Sequence, residues 1–568
     1  MFGKNRKSSP KTDPDKDSKY LSPLPLTILF LGLCLTAILI VLYMTVIGTA
    51  IPSITTYFGT VEDVDWYATA YLLTVCAIQP LTGQIYNYFP VKATYITFIS
   101  IFELGTLICA LAKSSKAFIV GRAVAGMGGA GLFNGSMVMI TAAAPPKVRP
   151  LMISISVAMV GIGGVIGPVV GGAVTEHLGW RWCLWIFMPP GLAVAAMFLF
   201  QRIPEQVSKP TARSVVRNLH HKLDLIGFAL FTPSCVMFLF AMSWGGSKYA
   251  WKSAMIIGLF CGSVGIACIF GLWIWHRKER ALIPPSLIMK PVVFFGCLVS
   301  FLQGGAFLMI GYYLPLWFQS VKGASPGKSG VMLLPTCISQ IVASIACSAL
   351  LRPIPYASLW ALLGNIVTAI GSGLMTTFQP DTSSSQWIGY QILGGAGRGI
   401  AMQMPILAAQ EALPSSEVAI ATANLLFFQY FGGSVLNSVA KTIFLNGLQP
   451  ALNEYAPSVD AEKVIHSGVT ELLKSISPKD MVGVVKAYNK ALTLTFWLPT
   501  AAACIGCFLS LGLGWQKIGF REKVKNNKAA SIVSDGGEMQ EGETHPPADD
   551  SKEKREGSAH ESEAKAEL

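Results

Sequence analysis

Gly163-Gly164-Val165-Ile166-Gly167-Pro168-Val169-Val170-Gly171-Gly172 lies inside an apolar run, residues 151–175, that is long enough to cross a bilayer. In a soluble helix each interior glycine would cost about 1 kcal/mol and the proline about 3. In a membrane bundle the same residues serve packing. Gly163, Gly167 and Gly171 recur every fourth residue, so one helix face is bare and a neighbouring backbone can come close. Pro168 frees a backbone carbonyl, which lipid tolerates only where protein or a cavity satisfies it. The stretch predicts a tightly packed transmembrane helix.

Composition agrees. The chain of 568 residues is 52% hydrophobic and 13% charged, with a mean hydropathy of +0.52. Soluble domains carry about 25% charged residues, so lipid is the expected solvent for most of this surface. The net charge of +12 does not imply a nucleic-acid partner, because the basic residues gather in loops on one side of the spans. Cys34, Cys76, Cys109, Cys261 and Cys347 fall in apolar segments, which excludes a disulfide framework. The Cys504-x-x-Cys507 pair is embedded in a span and reads as packing.

A helix needs about 20 apolar residues to cross the hydrocarbon core. Stretches of that kind lie near residues 26–50, 66–86, 93–112, 118–142, 151–175, 182–202, 223–243 and 254–275. Six more lie near 294–317, 329–350, 354–377, 386–408, 418–445 and 490–515. About fourteen spans are expected. Lys4, Arg6, Lys7, Lys11, Lys16 and Lys19 put the N-terminal tail in the cytoplasm. Alternation then places Lys147 and Arg149, the 202–222 segment and His276–Arg280 on the same side, with Asp63 and Asp65 outside. Lys113, Lys116, Lys322 and Lys328 run against the rule. An even count puts both termini in the cytoplasm. Residues 446–489 read as the longest external loop, ending in a helix over 482–488. The tail from about residue 521 has the composition of a disordered segment.

Few motifs carry chemistry. Gly323–Ser329 is one residue short of a phosphate loop and does not follow a strand, so no nucleotide site is expected there. Charges at mid-membrane cost about 2.5–3.5 kcal/mol on the lenient insertion scale, which draws attention to Glu103, Arg122 and Arg398. Gly121-Arg122 and Gly397-Arg398 fall in corresponding spans of two halves. The run Gly394–Gly399 predicts a bending span. Trp66, Gln303, Tyr312, Gln403, Asn424 and Gln429 are candidates to line a mostly apolar cavity with a few polar anchors.

Several stretches together resemble a known family. Leu42–Pro52 looks like the first-span signature of fourteen-span drug:proton antiporters of the major facilitator type, and Ile119–Gly126 resembles their fourth-span motif. Gly163–Gly172 resembles their antiporter motif. Trp180-Arg181-Trp182, Leu223-Asp224, Ser243–Gly246, Tyr312–Pro315, Phe428-Gln429 and Ala487-Tyr488-Asn489 are similar to fungal members. The set resembles fungal efflux pumps for secondary-metabolite toxins, the group that includes aflatoxin-type exporters. Four positions depart from the pattern. Tyr43 stands where the family has an acid. In Gly83–Lys92, Asn87 replaces the aspartate and Pro90-Val91 the glycine and arginine of a loop that in the family braces the two halves. That gate is therefore looser or held differently.

The resemblance implies an all-α integral membrane fold, two six-helix bundles with two extra central spans. The segments are a tail over 1–25, bundles over 26–203 and 293–515, a linker with the extra spans over 204–292, and a tail over 516–568. The expected function is export of a hydrophobic or amphipathic molecule, a toxin, secondary metabolite or drug, by proton antiport with alternating access. Uptake of a nutrient, or a non-transporting sensor role, are the rival readings. Tyrosine ionises only near pH 10, so Tyr43 and Asn87 are poor proton carriers. Glu103 is then the expected coupling group, with Arg122 tuning it. Arg398, Tyr43 and Asn87 join these two as gating candidates, and Gly163, Gly167, Pro168, Gly171 and Gly172 as the packing motif. No enzyme chemistry and no cofactor or metal is expected. The partners are a small molecule, protons and the bilayer of the cell, vacuolar or vesicle membrane, around a monomer.

Overall fold

The computed structural model describes residues 20–59, 63–205, 209–210, 212–217, 219–246, 248–459 and 478–517. The basic N-terminal tail, the middle of the 446–489 loop and the tail from residue 521 lie outside the described residues. Among those described, every regular element is a helix apart from isolated bridges.

The first group comprises α1 (Pro23–Phe58), α2 (Val64–Tyr88), α3 (Val91–Leu111), α4 (Ser115–Ala143), α5 (Arg149–His177), α6 (Trp182–Trp185) and α7 (Met188–Phe200). Short helices α8 (Ala212–Arg217) and α9 (Leu219–Lys222) lead to the long pair α10 (Leu225–Trp244) and α11 (Ala254–Arg277). The short α12 (Pro285–Ile288) precedes the second group: α13 (Pro291–Ser320), α14 (Pro326–Met332), α15 (Leu334–Leu350), α16 (Ala357–Met375), α17 (Ser384–Ala401), α18 (Met404–Ala412) and α19 (Ser415–Tyr455). It ends with α20 (Pro478–Thr495) and α21 (Trp497–Ser510).

Among the described residues eleven helices are long and apolar enough to cross a membrane, twelve if α5, bent by 41° between Gly164 and Val169, counts as one span. The bend falls at the glycine–proline pair, the usual cause of a sharp kink. The expected regions 66–86 and 386–408 are helical as α2 and α17–α18, but neither is among the helices apolar enough to pass. Apolarity alone therefore does not give fourteen.

One expectation is corrected. The 446–489 segment is not all loop, because α19 runs unbroken to Tyr455 and α20 begins at Pro478. The glycines of 394–399 lie in α17, which is continuous over Ser384–Ala401, and the expected 386–408 span is interrupted at Met402–Gln403, just before Pro405. These glycines serve close approach. A methyl group on Gly397 would overlap Thr368 of α16, and one on Gly399 the Gln340 backbone of α15. The same device joins α3 to α4, where Gly105 meets Ala125 and Gly128 meets Phe102. Small residues let backbones touch, and dispersion replaces the hydrophobic drive that lipid cannot supply.

Candidate functional site

The glycine stretch meets α1. A Cβ on Gly163 would come within 2.9 Å of the Ile38 carbonyl, one on Gly167 would overlap the Thr45 side chain, and one on Gly171 would meet Val46 and Thr49. Thr45 Oγ1 also donates to the Gly163 carbonyl at 3.4 Å. Gly172 is different, with open space where a side chain would go. The fourfold spacing thus marks a seam between α1 and α5, to which Gly172 does not belong.

Arg122 of α4 is almost completely buried. Its Nε donates to the Tyr67 carbonyl at 2.7 Å, and its guanidinium lies 4.7 Å from the Tyr43 ring centre and 4.8 Å from that of Tyr71. Tyr43 is held in turn by Tyr71, Phe102 and Phe187, at ring separations of 5.0–5.6 Å. The residue that stands in place of an acid thus offers the arginine a π face instead of a carboxylate. A desolvated cation–π contact contributes about 2 kcal/mol.

Glu103 is buried on α3, and neither carboxylate oxygen makes a hydrogen bond. It lies against Gly191 of α7, where a methyl would overlap Oε1. Among the described residues it has no ion pair with Arg122, which packs on the Tyr43 and Tyr71 rings, whereas Glu103 lies against α7. The expected tuning of Glu103 by Arg122 therefore has no contact to act through.

In the second group Arg398 is 4% exposed, and its Nη1 and Nη2 make no hydrogen bond. It borders a small cavity with Gln303, Asn365 and Thr368. The other proposed cavity residues disperse. Trp66 meets Phe240 of α10 edge-to-face at 4.9 Å and so anchors an extra helix. Tyr312 is 61% exposed. Gln403 is buried at the helix break and accepts from Ser344 Oγ at 3.3 Å. Asn424 is buried with both amide atoms unpaired. Gln429 brings its backbone against Gly304.

The two groups are sealed together at one end. Gly83 of α2 packs on Ile420 and Ala423 of α19, and Ser344 and Ser348 of α15 donate to the Ser154 and Pro150 carbonyls of α5 at 3.4 and 3.3 Å. One turn above that contact is Gln79, fully buried with both amide atoms unpaired. A lone glutamine before Pro80 gives no pattern, so sequence reasoning missed it.

That end also shows what replaces the lost loop charges. Asn87 is half-buried in the last turn of α2. Lys209, from the linker, donates to the Tyr86 and Phe89 carbonyls at 2.9 and 2.7 Å, and pairs with Glu205 at 2.9 Å. Glu205 accepts from Val91 N at 2.6 Å. A cation thus caps the C-terminus of α2 and an anion the N-terminus of α3, as the helix dipoles favour. Burial pulls the Lys209 ammonium below its usual pKa, with Glu205 opposing.

Beside it Asp224, 1% exposed, accepts from Gly227 N at 2.9 Å, Trp273 Nε1 at 2.8 Å and Leu282 N at 2.8 Å. Its own N–H donates to Gln84 Oε1 at 3.0 Å, and Gln84 Nε2 donates to the Ala281 carbonyl at 2.9 Å. This network ties α10 and α11 to α2.

Apolar helices joined by glycine seams, with isolated buried charges and unpaired amides, are the features of a polytopic membrane protein. The sequence profile of the Major Facilitator Superfamily matches residues 33–436, and the chain belongs to that superfamily. It is 43% identical over 507 residues to the MFS-type transporter pigP of Monascus ruber, covering 89% of each chain. It is 40% identical over 514 residues to the efflux pump mlcE of Penicillium citrinum, covering 89% of this chain and 93% of that one. In fold it is similar to the proton:xylose symporter XylE, with a TM-score of 0.56 at 13% identity over 85% of this chain and 94% of that one.

Proposed function

We propose that the chain exports a hydrophobic or amphipathic small molecule in exchange for protons, by alternating access between two six-helix bundles. The observation that carries export is the near full-length similarity to proteins named as efflux pumps. The α1–α5 seam gives it a physical counterpart, since a tightly fitted helix pair can move as one body. In this reading the chain crosses a cell, vacuolar or vesicle membrane fourteen times, as a monomer with both termini cytoplasmic. The sealed end faces the cytoplasm.

Glu103 is the proposed coupling group. A residue that must gain and lose a proton in each cycle has to stand without a permanent counter-ion, and its unpaired carboxylate supports that role. Arg122 is then a positioning residue, fixing α1, α2 and α4 through the Tyr43 and Tyr71 rings. The Lys209–Glu205 clamp fixes the facing ends of α2 and α3 within the first bundle, beside Asn87.

Export is tested in a host lacking its own pumps. Cells expressing the chain should retain less of an amphipathic fluorescent compound than cells expressing Gly167→Leu at the same surface level. Equal retention across a broad compound panel overturns the reading.

A further inference from the structure

The two buried arginines at corresponding places are not treated alike. Arg122 has a carbonyl acceptor and two aromatic faces. Arg398 has neither: its Nη1 and Nη2 are unpaired, and none of the ion pairs among the described residues includes it. A buried cation without compensation is strongly unfavourable. The cavity beside it holds a second unsatisfied group, Gln303 of α13, 7% exposed with both amide atoms unpaired. Asn365 and Thr368 also line it, but they donate to Ser510 Oγ and to the Gly364 carbonyl, at 3.0 and 2.8 Å. The remaining wall is apolar, including Ala306 and Ala502. The free hydrogen-bonding capacity is thus a guanidinium fork and one amide, with no carboxylate lining the cavity.

We propose that this cavity binds one singly charged anionic group, a free halide or the carboxylate of a carried molecule, through the Arg398 guanidinium and the Gln303 amide. A guanidinium presents parallel N–H donors that suit a carboxylate, and the Gln303 NH2 approaches from the facing helix. The free space is about 10 Å³, room for about one water-sized sphere. A single-atom ion therefore needs only slight expansion, whereas a carboxylate needs α13 and α17 to part. Binding at this point would then bear on the same helices that must move. The inference concerns binding alone and does not rest on the direction or coupling of transport.

The test uses the purified full chain in lipid nanodiscs and its melting temperature at equal ionic strength in sodium chloride, sodium formate and sodium gluconate. Ligand that binds only the folded state raises Tm. We expect chloride or formate to raise it by on the order of 2 °C over gluconate, which is too bulky for the cavity. Arg398→Gln should abolish the rise, and Gln303→Leu should reduce it. A rise with chloride alone assigns a free halide. A rise with formate that persists, relative to the polyhydroxylated gluconate, through longer monocarboxylates with apolar chains assigns the carboxylate of a carried molecule. The proposal is overturned if the three salts give one Tm, or if the rise survives unchanged in Arg398→Gln. Should that variant fail to fold, an undiminished rise in Gln303→Leu overturns it equally.

Discussion

Replacing Lys209 with methionine tests whether the linker clamps the α2–α3 junction. The change keeps the length of the side chain and removes two charge-assisted hydrogen bonds, to the Tyr86 and Phe89 carbonyls, together with the Glu205 pair. Each hydrogen bond from a charged donor contributes about 1.5–3 kcal/mol. Part of this is returned, because the Lys209 side chain is only 10% exposed and its desolvation cost disappears with it. A net loss of about 2 kcal/mol is a reasonable balance, and it corresponds to roughly a 30-fold shift in the local opening equilibrium. Hydrogen exchange read by mass spectrometry on peptides spanning 84–95 should accelerate by about that factor. The Val91 amide should respond most directly, since its acceptor is Glu205. Glu205→Gln keeps an acceptor for that amide and should change exchange much less. Unchanged protection in Lys209→Met would refute the reasoning.

Other outcomes follow from the same geometry. Gly167→Leu should force α1 from α5 at about 1–3 kcal/mol of overpacking and abolish export at normal surface abundance. Gly172→Leu points into open space and should export normally, and equal loss in both variants would remove the seam from the argument. Asp224→Asn exchanges one acceptor for a donor among three inward-pointing N–H groups. It should lower stability by about 3 kcal/mol, read as a reduced Tm and faster proteolysis near Leu282.

The seam was legible because its spacing matches the helical repeat, so four-residue glycine periodicity in an apolar run can mean only one bare face. What the sequence could not name was the partner, α1, or that Gly172 lies off the seam. The Gly394–Gly399 run is ambiguous for a related reason. Glycine serves both flexibility and close approach, and only the facing backbones of α15 and α16 distinguish the two.

Glu103 and Arg122 stood out as intramembrane charges, yet neighbours in sequence space need not share a face. The aromatic cage of Arg122 depends on rings from α1 and α2 meeting α4. Lys209 and Glu205 read as ordinary solvated linker charges, and nothing in their own segment shows that they cap α2 and α3. Gln79 is visible only through burial.

The most direct test of the central claim is accumulation of an exported compound in proteoliposomes under an imposed pH gradient, for the native chain and for Glu103→Gln. The variant preserves shape and removes titration. The account predicts that the native chain concentrates the compound only while the gradient lasts, and that Glu103→Gln still exchanges it down its own gradient but no longer responds to pH. Uphill accumulation that persists unchanged in Glu103→Gln would contradict Glu103 as the coupling group. A native chain indifferent to the gradient would contradict proton antiport itself.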